Sequence, residues 1–146
     1  MNFDPSSLLK NFGAGELRAL VETMVLAADA DGEFTDDERQ QLVASIQGLA
    51  KGTEHESALS GEALAKLMAS IEQKLASDGR AKRIAIIKDR LVGEGAHQAA
   101  LGLAIVVTAA DGIVRTSERE LLFDLAEAFE IDQDTAADMV RQITRG

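Results

Sequence analysis

Two stretches of the chain have residue types and spacing that could bind a metal ion. The first, ADADGEFTDDERQ at residues 28–40, has six carboxylates between Asp29 and Glu38 and no positive charge among them. A related stretch, TAADGIVRTSERE, follows at residues 108–120. Carboxylates this close repel one another and raise one another's pKa unless cations or amides compensate. Oxygen ligands of this kind suit Ca²⁺, Mg²⁺ or Mn²⁺.

The first stretch also resembles the calcium loop of an EF-hand, whose ligands occupy positions 1, 3, 5, 7, 9 and 12. With Asp29 at position 3, Glu38 falls at position 12, but position 1 is Ala27, whose side chain has no ligand atom. In the second stretch, positions 1 and 3 are Val107 and Ala109. Because calcium requires six to eight oxygens, a conventional EF-hand is disfavoured.

Each stretch also contains an Asp-Gly pair with a purely structural interpretation. Aspartate ends one helix, glycine takes a conformation that most residues avoid, and a glutamate helps to start the next helix. Thr35 and Glu38 fit a capping box, in which a hydroxyl and a carboxylate satisfy backbone donors at a helix start. Ser117 and Glu120 offer the same pairing in the second stretch. The sequence leaves both roles open for Glu38.

Apolar residues at helical spacing surround these stretches and predict an all-α fold. Before the first stretch, Leu17, Val21, Met24 and Val25 lie on one helical face. Similar spacing recurs six more times, which predicts a helical bundle of about seven helices. The most apolar stretch, at residues 99–110, is too short to span a bilayer and is predicted to be a buried core helix.

The two acidic stretches belong to an internal repeat with an offset of 80 residues. Residues 30–39 and 110–119 are identical at five of ten positions, and Leu42 aligns with Leu122 in the helix that follows. Each repeat is predicted to be a helix, a sharp Asp-Gly turn and a second helix. Because neither hairpin can bury its apolar face alone, we expect the two to pack about a pseudo-two-fold axis.

A single domain is expected over residues 1–146. The first repeat covers about residues 14–50 and the second about 96–130, with connecting helices at about 60–92. A chain of this length buries roughly 70% of the surface that it exposes when unfolded, so it needs no disulfide or metal to fold.

Composition excludes several classes of function. The net charge of −10 disfavours binding to nucleic acid, which requires a basic face, and favours cations or basic partners. The chain has no cysteine, so thiolate sites and disulfides are excluded and a cytoplasmic protein is expected. No segment resembles a signal peptide, and we expect no direct membrane insertion. One basic stretch, with Arg80, Lys82, Arg83, Lys88 and Arg90 around a single acid, predicts a solvated helix face or, alternatively, a docking patch for an acidic partner.

No arrangement of catalytic residues is visible. Glu94 and His97 form the Glu-x-x-His pair of di-iron carboxylate bundles, but such a site needs a second pair and two further glutamates. The only other histidine, His55, lacks that spacing. The sequence also has no nucleophile elbow and no phosphate-binding loop. We therefore expect no enzymatic activity.

The repeated motif is similar to that of a known family. An alanine-rich helix runs into Ala-Asp-Gly, five residues follow, and Glu-Arg comes at the head of the next helix, and this pattern occurs twice. It resembles the tellurite-resistance TerB-like family over roughly residues 14–144. The resemblance implies an all-helical bundle of two related halves, a metal-linked cluster of acidic residues, and a place in a chemical-stress system.

The resemblance also implies which carboxylates would hold the metal. The acidic positions of the family fall on Asp31 and Glu38 in the first repeat and on Asp111 and Glu118 in the second. Asp29 is not one of the acidic positions of the family, and its counterpart in the second repeat is Ala109. Together these five residues are the hypothetical site for Ca²⁺, Mg²⁺ or Mn²⁺, shared between the two repeats.

The sequence therefore predicts a non-enzymatic binding or scaffold module in a bacterial stress response. In this hypothesis a divalent cation stiffens the two turns and so changes the surface that a protein partner meets. The alternative is a helical protein-interaction domain with no metal, whose carboxylates serve solubility and basic partners.

Overall fold

The computed structural model describes residues 13–30, 32, 34–92, 95–109 and 115–145, and in these ranges it contains seven helices and no strand. The helices are α1 (Ala14–Ala28), α2 (Asp36–Ala50), α3 (Gly61–Asp78), α4 (Arg80–Arg90), α5 (Ala96–Thr108), α6 (Thr116–Ala128) and α7 (Gln133–Arg145). The predicted all-α fold of about seven helices is confirmed. The pseudo-two-fold relation between the two halves stays a prediction.

Helices α1 and α5 form the centre of the bundle. They pack against each other more extensively than any other pair, and α1 also contacts α2, α3 and α4 while α5 contacts α6 and α7. Both central helices are buried along most of their length, as expected for α5 from its apolar sequence. The remaining helices bury one apolar stripe each, as the helical spacing predicts.

A buried ion pair joins α4 to the central helix α1. Glu22 is 0% exposed and Arg83 is 3% exposed. Nε of Arg83 donates to Oε2 of Glu22 at 2.5 Å, Nη2 donates to Oε1 at 2.9 Å, and Nη1 donates to Oδ2 of Asp78 at 3.0 Å. The hydrogen bond to Glu22 is the main reason that the pKa of Arg83 is raised above its usual value.

The prediction that the basic stretch forms a solvated helix face is wrong for Arg83. Two further members of the stretch pair with α6 and the turn after it, since Arg80 bonds Asp124 at 3.1 Å and Lys88 lies 3.9 Å from Glu130. The physical reason is that α4 packs against α1 and α6, which brings its basic side chains next to their carboxylates. Three members of the stretch are therefore paired with carboxylates of this chain, Arg83 in the interior and Arg80 and Lys88 at the surface.

None of the described helices is both long and apolar enough to cross a membrane.

Candidate metal-binding turns

The first acidic turn connects α1 to α2. Asp29 follows the last residue of α1, is half-buried, and its amide donates to the carbonyl oxygen of Val25 at 3.0 Å. The amide of Gly32 donates back to the carbonyl oxygen of Asp29 at 3.0 Å. Gly32 has a φ of +82°, in the left-handed region that favours glycine. Gly32 therefore has the turn conformation that the sequence predicts, while Asp31, the aspartate of the pair, lies outside the described residues.

Glu38 is the third residue of α2 and takes part in the helix cap. Its amide donates to Oγ1 of Thr35 at 3.2 Å, and the Thr35 hydroxyl donates to Oε1 of Glu38 at 3.2 Å. The predicted pairing of Thr35 with Glu38 is confirmed. In a capping box the glutamate carboxylate accepts from a backbone amide, whereas in the described bond the carboxylate of Glu38 accepts from the hydroxyl of Thr35. A carboxylate has about four lone-pair sites, so this bond leaves most of them for another ligand.

The second turn starts α6 with a different residue from the one predicted. Arg115 precedes the helix, and its amide donates to Oε1 of Glu118 at 2.8 Å. The predicted pairing of Ser117 with Glu120 is wrong, because Ser117 is already the second residue of α6. Glu118, the third residue, reaches back to the helix start as Glu38 does in α2.

The two turns have matching ends at the offset of 80 residues. Helix α1 ends at residue 28 and α5 at residue 108, while α2 starts at residue 36 and α6 at residue 116. Asp29 has φ −94° and ψ 7°, and Ala109 has φ −91° and ψ 6°. The backbone at this position is thus nearly identical, and the first turn adds a carboxylate where the second has a methyl group.

Three of the five predicted metal ligands lie in the described part of the chain, namely Asp29, Glu38 and Glu118, while Asp31 and Asp111 lie outside it. Within the described ranges, no three or more Asp, Glu or His side chains converge closely enough to hold an ion. The site shared between the repeats therefore stays a prediction, and it depends on the two aspartates of the Asp-Gly pairs.

The family model described as "Tellurite resistance protein TerB" matches residues 17–142, most of the chain. The chain belongs to the TerB family. The match includes both acidic turns. Comparison with curated proteins found no significant match, and neither did comparison with solved structures.

In this TerB domain, Arg39 joins the first acidic turn to α3. Its guanidinium pairs with the carboxylate of Glu72 and lies 4.8 Å from the ring centre of Phe34. The hydrogen bond to Glu72 raises the pKa of Arg39. The sequence alone does not reveal this pair, because its members are 33 residues apart and no local pattern links them.

His97 has a structural position in the TerB fold. Its ring stacks on Phe129 with the centres 5.1 Å apart, and Nε2 lies 3.1 Å from the carbonyl oxygen of Lys88. Since a carbonyl can only accept, Nε2 carries a proton in this contact. Glu94, its partner in the di-iron hypothesis, lies outside the described residues.

Proposed function

We propose that the chain is a non-enzymatic binding or scaffold module whose partner binding is linked to a divalent cation held by the carboxylates of the two turns. The proposed ligands are Asp29, Asp31, Glu38, Asp111 and Glu118. The tellurite resistance in the family's name supports a place in a bacterial chemical-stress response.

The observation that carries this proposal is the position of Asp29 at the C-terminal end of α1. Asp36, Asp37 and Glu38 lie in the first turn of α2, where the helix dipole stabilises negative charge. Asp29 lies at the opposite pole of a helix, where a negative charge is unfavourable by roughly 0.3–1 kcal/mol. Helix capping accounts for the acids of α2, and it does not require a carboxylate at position 29, where the second turn has Ala109. In our proposal, the carboxylate of Asp29 is a ligand of the cation.

A bound cation would act on two helix starts at once. Glu38 and Glu118 each use one carboxylate oxygen in a described bond at the start of α2 and α6. In our proposal, the second oxygen of each carboxylate binds the cation, so that binding fastens both helix starts. The partner surface formed by these turns then depends on the ion.

Metal-dependent stability tests this function. We expect Ca²⁺, Mg²⁺ or Mn²⁺ to raise the melting temperature of chelator-treated protein. A cation at about a hundred times its Kd adds about 2.7 kcal/mol to the unfolding free energy, or roughly 5–10 °C for a domain of this size. The double variant Glu38→Gln, Glu118→Gln keeps an acceptor oxygen for each cap, so it is expected to fold normally and to lose this stabilisation.

A charge-matched variant controls for general screening. Asp37→Asn with Glu120→Gln also removes one exposed carboxylate near the start of each helix, but neither residue is a proposed ligand. The control is expected to keep the metal response of the parent. Equal responses in all three proteins would overturn the metal site and favour the alternative, a metal-free interaction domain.

A further inference from the structure

An apolar groove opens between α5, α6 and α7. Its volume is about 210 Å³. Leu101 and Ile105 of α5, Leu122 and Phe123 of α6, and Val140 of α7 supply most of its apolar lining. Phe123 is 44% exposed, which is unusual for a phenylalanine in a chain with few aromatic residues.

The charged side chains of the groove are all positive. Its lining contains Arg119 and Arg141 and no carboxylate, although the chain carries a net charge of −10. Arg141 pairs with Asp138 on its own helix. Arg119 is exposed, and no described side chain forms a hydrogen bond or ion pair with its guanidinium.

The first half of the chain shows how the corresponding arginine is satisfied. Arg39 precedes Arg119 by the repeat offset of 80 residues, and its guanidinium pairs with Glu72. Glu72 lies on α3, an amphipathic helix that buries the neighbouring Ile71 and packs on α1. An amphipathic helix thus supplies a carboxylate to this arginine in one half, whereas in the other half the arginine lines an open groove.

We propose that the groove between α5, α6 and α7 binds an acidic amphipathic helix of a partner protein. In this complex one large apolar side chain enters the groove beside Phe123, and an adjacent carboxylate pairs with Arg119. A guanidinium and a carboxylate form a charge-assisted, commonly bidentate hydrogen bond, which sets the orientation of the incoming helix. The partner segment has the same character as α3.

The size of the groove favours a side chain over a free small molecule. Ligand pockets usually enclose roughly 300–1,000 Å³, and this groove is smaller. A pocket that holds one aliphatic or aromatic side chain next to an arginine is typical of an interface hot spot. Helix-in-groove binding also uses apolar side chains at helical spacing, which α3 already shows within this fold.

This inference rests on the proposed function only for the existence of a protein partner, because the groove itself needs no cation. A displayed library built on the α3 sequence, with the positions of Ile71 and Glu72 and the apolar face varied, serves as the probe. Peptides selected on the full chain are synthesised, and their binding is measured by fluorescence anisotropy in chelator and again with Ca²⁺. Binding in both buffers separates the groove from the metal site.

Three variants test the groove itself. Arg119→Gln removes the charge, and Ala137→Leu fills the groove from α7. Each is expected to weaken binding about tenfold or more. Arg90→Gln is the matched control, since Arg90 is likewise exposed and does not line the groove, and it is expected to bind as the parent does. Circular dichroism and melting curves confirm that each variant folds.

Selected peptides are expected to carry an acidic residue beside a large apolar one. The proposal is wrong if the library yields no binder, if the binders lack acidic residues, or if Arg119→Gln binds as tightly as Arg90→Gln. Analytical ultracentrifugation of the parent measures whether the chain self-associates, and self-association through the groove would also contradict the proposal. Self-association that Arg119→Gln and Ala137→Leu abolish would make the occupant a second copy of this chain.

Discussion

The buried pair of Glu22 and Arg83 gives the sharpest prediction about stability. The variant Arg83→Met removes three hydrogen bonds and leaves Glu22, which is 0% exposed, without its cation. Breaking a buried ion pair by removing one partner costs about 3–5 kcal/mol. Glu22→Gln keeps one acceptor oxygen, and Arg83 keeps Asp78, so a smaller loss of about 1.5–3 kcal/mol is expected.

The double variant Glu22→Leu, Arg83→Met separates charge from packing. Two apolar side chains of similar volume leave no buried charge at this position, and such replacements are often neutral or stabilising. We expect an unfolding free energy within about 1 kcal/mol of the parent. With Glu22→Leu and Arg83→Met as the two single variants of the cycle, the coupling between the two sites is then large and of opposite sign to the single losses.

Urea denaturation followed by circular dichroism measures these differences. Urea is uncharged, so it does not screen the ion pair as guanidinium chloride would. With a slope of about 1.5 kcal/mol per molar, the loss in Arg83→Met shifts the midpoint by about 2–3 M. A loss below about 1 kcal/mol in Arg83→Met, or a double variant as unstable as the sum of the single losses, would refute this account of the pair.

Three further predictions concern helix ends and pH. Glu130 has a φ of 59°, a left-handed conformation that is unfavourable for every residue with a Cβ atom and free of that cost for glycine. Glu130→Gly is therefore expected to raise the unfolding free energy by about 0.5–1 kcal/mol in urea titrations. Glu130→Gln is the control that removes only the charge. Thr35→Ala removes the cap of α2 and is expected to cost about 1 kcal/mol in the same assay, whereas Thr35→Ser is expected to keep most of it. Hydrogen bonds from Arg83 to Asp78 and from Thr135 to Asp132 lower the pKa of both carboxyls. These groups stabilise the fold above their ordinary pKa, so melting temperatures are expected to fall below about pH 4, and less steeply in Asp78→Asn and Asp132→Asn.

Local patterns predicted the seven described helices and the cap of α2. Helical spacing of apolar residues identified all seven described helices, because each buries apolar side chains at that spacing in a common core. Thr35 and Glu38 were recognisable as a cap since they are three residues apart in the chain. The cap of α6 was placed two residues too far along, because its start at Arg115 lacks the hydroxyl that marks such positions.

Contacts between distant residues could not be read from the sequence. Glu22 and Arg83 are 61 residues apart, and only the packing of α4 on α1 brings them together. Charged residues on a helix are usually exposed, so the pattern favoured a solvated face for Arg83. The groove beside Arg119 likewise depends on how α7 covers α5 and α6, which the periodicity of each helix does not determine.

Calorimetric titration of the chelator-treated parent with Ca²⁺, followed by Mg²⁺, Mn²⁺ and Zn²⁺, tests the cation-linked function most directly. We predict saturable heat from one or two sites for an oxygen-preferring ion, with a Kd below about 1 mM, and its loss in the Glu38→Gln, Glu118→Gln variant. Heats that match dilution alone at physiological ionic strength would contradict the account and assign the turn carboxylates to helix capping and solubility.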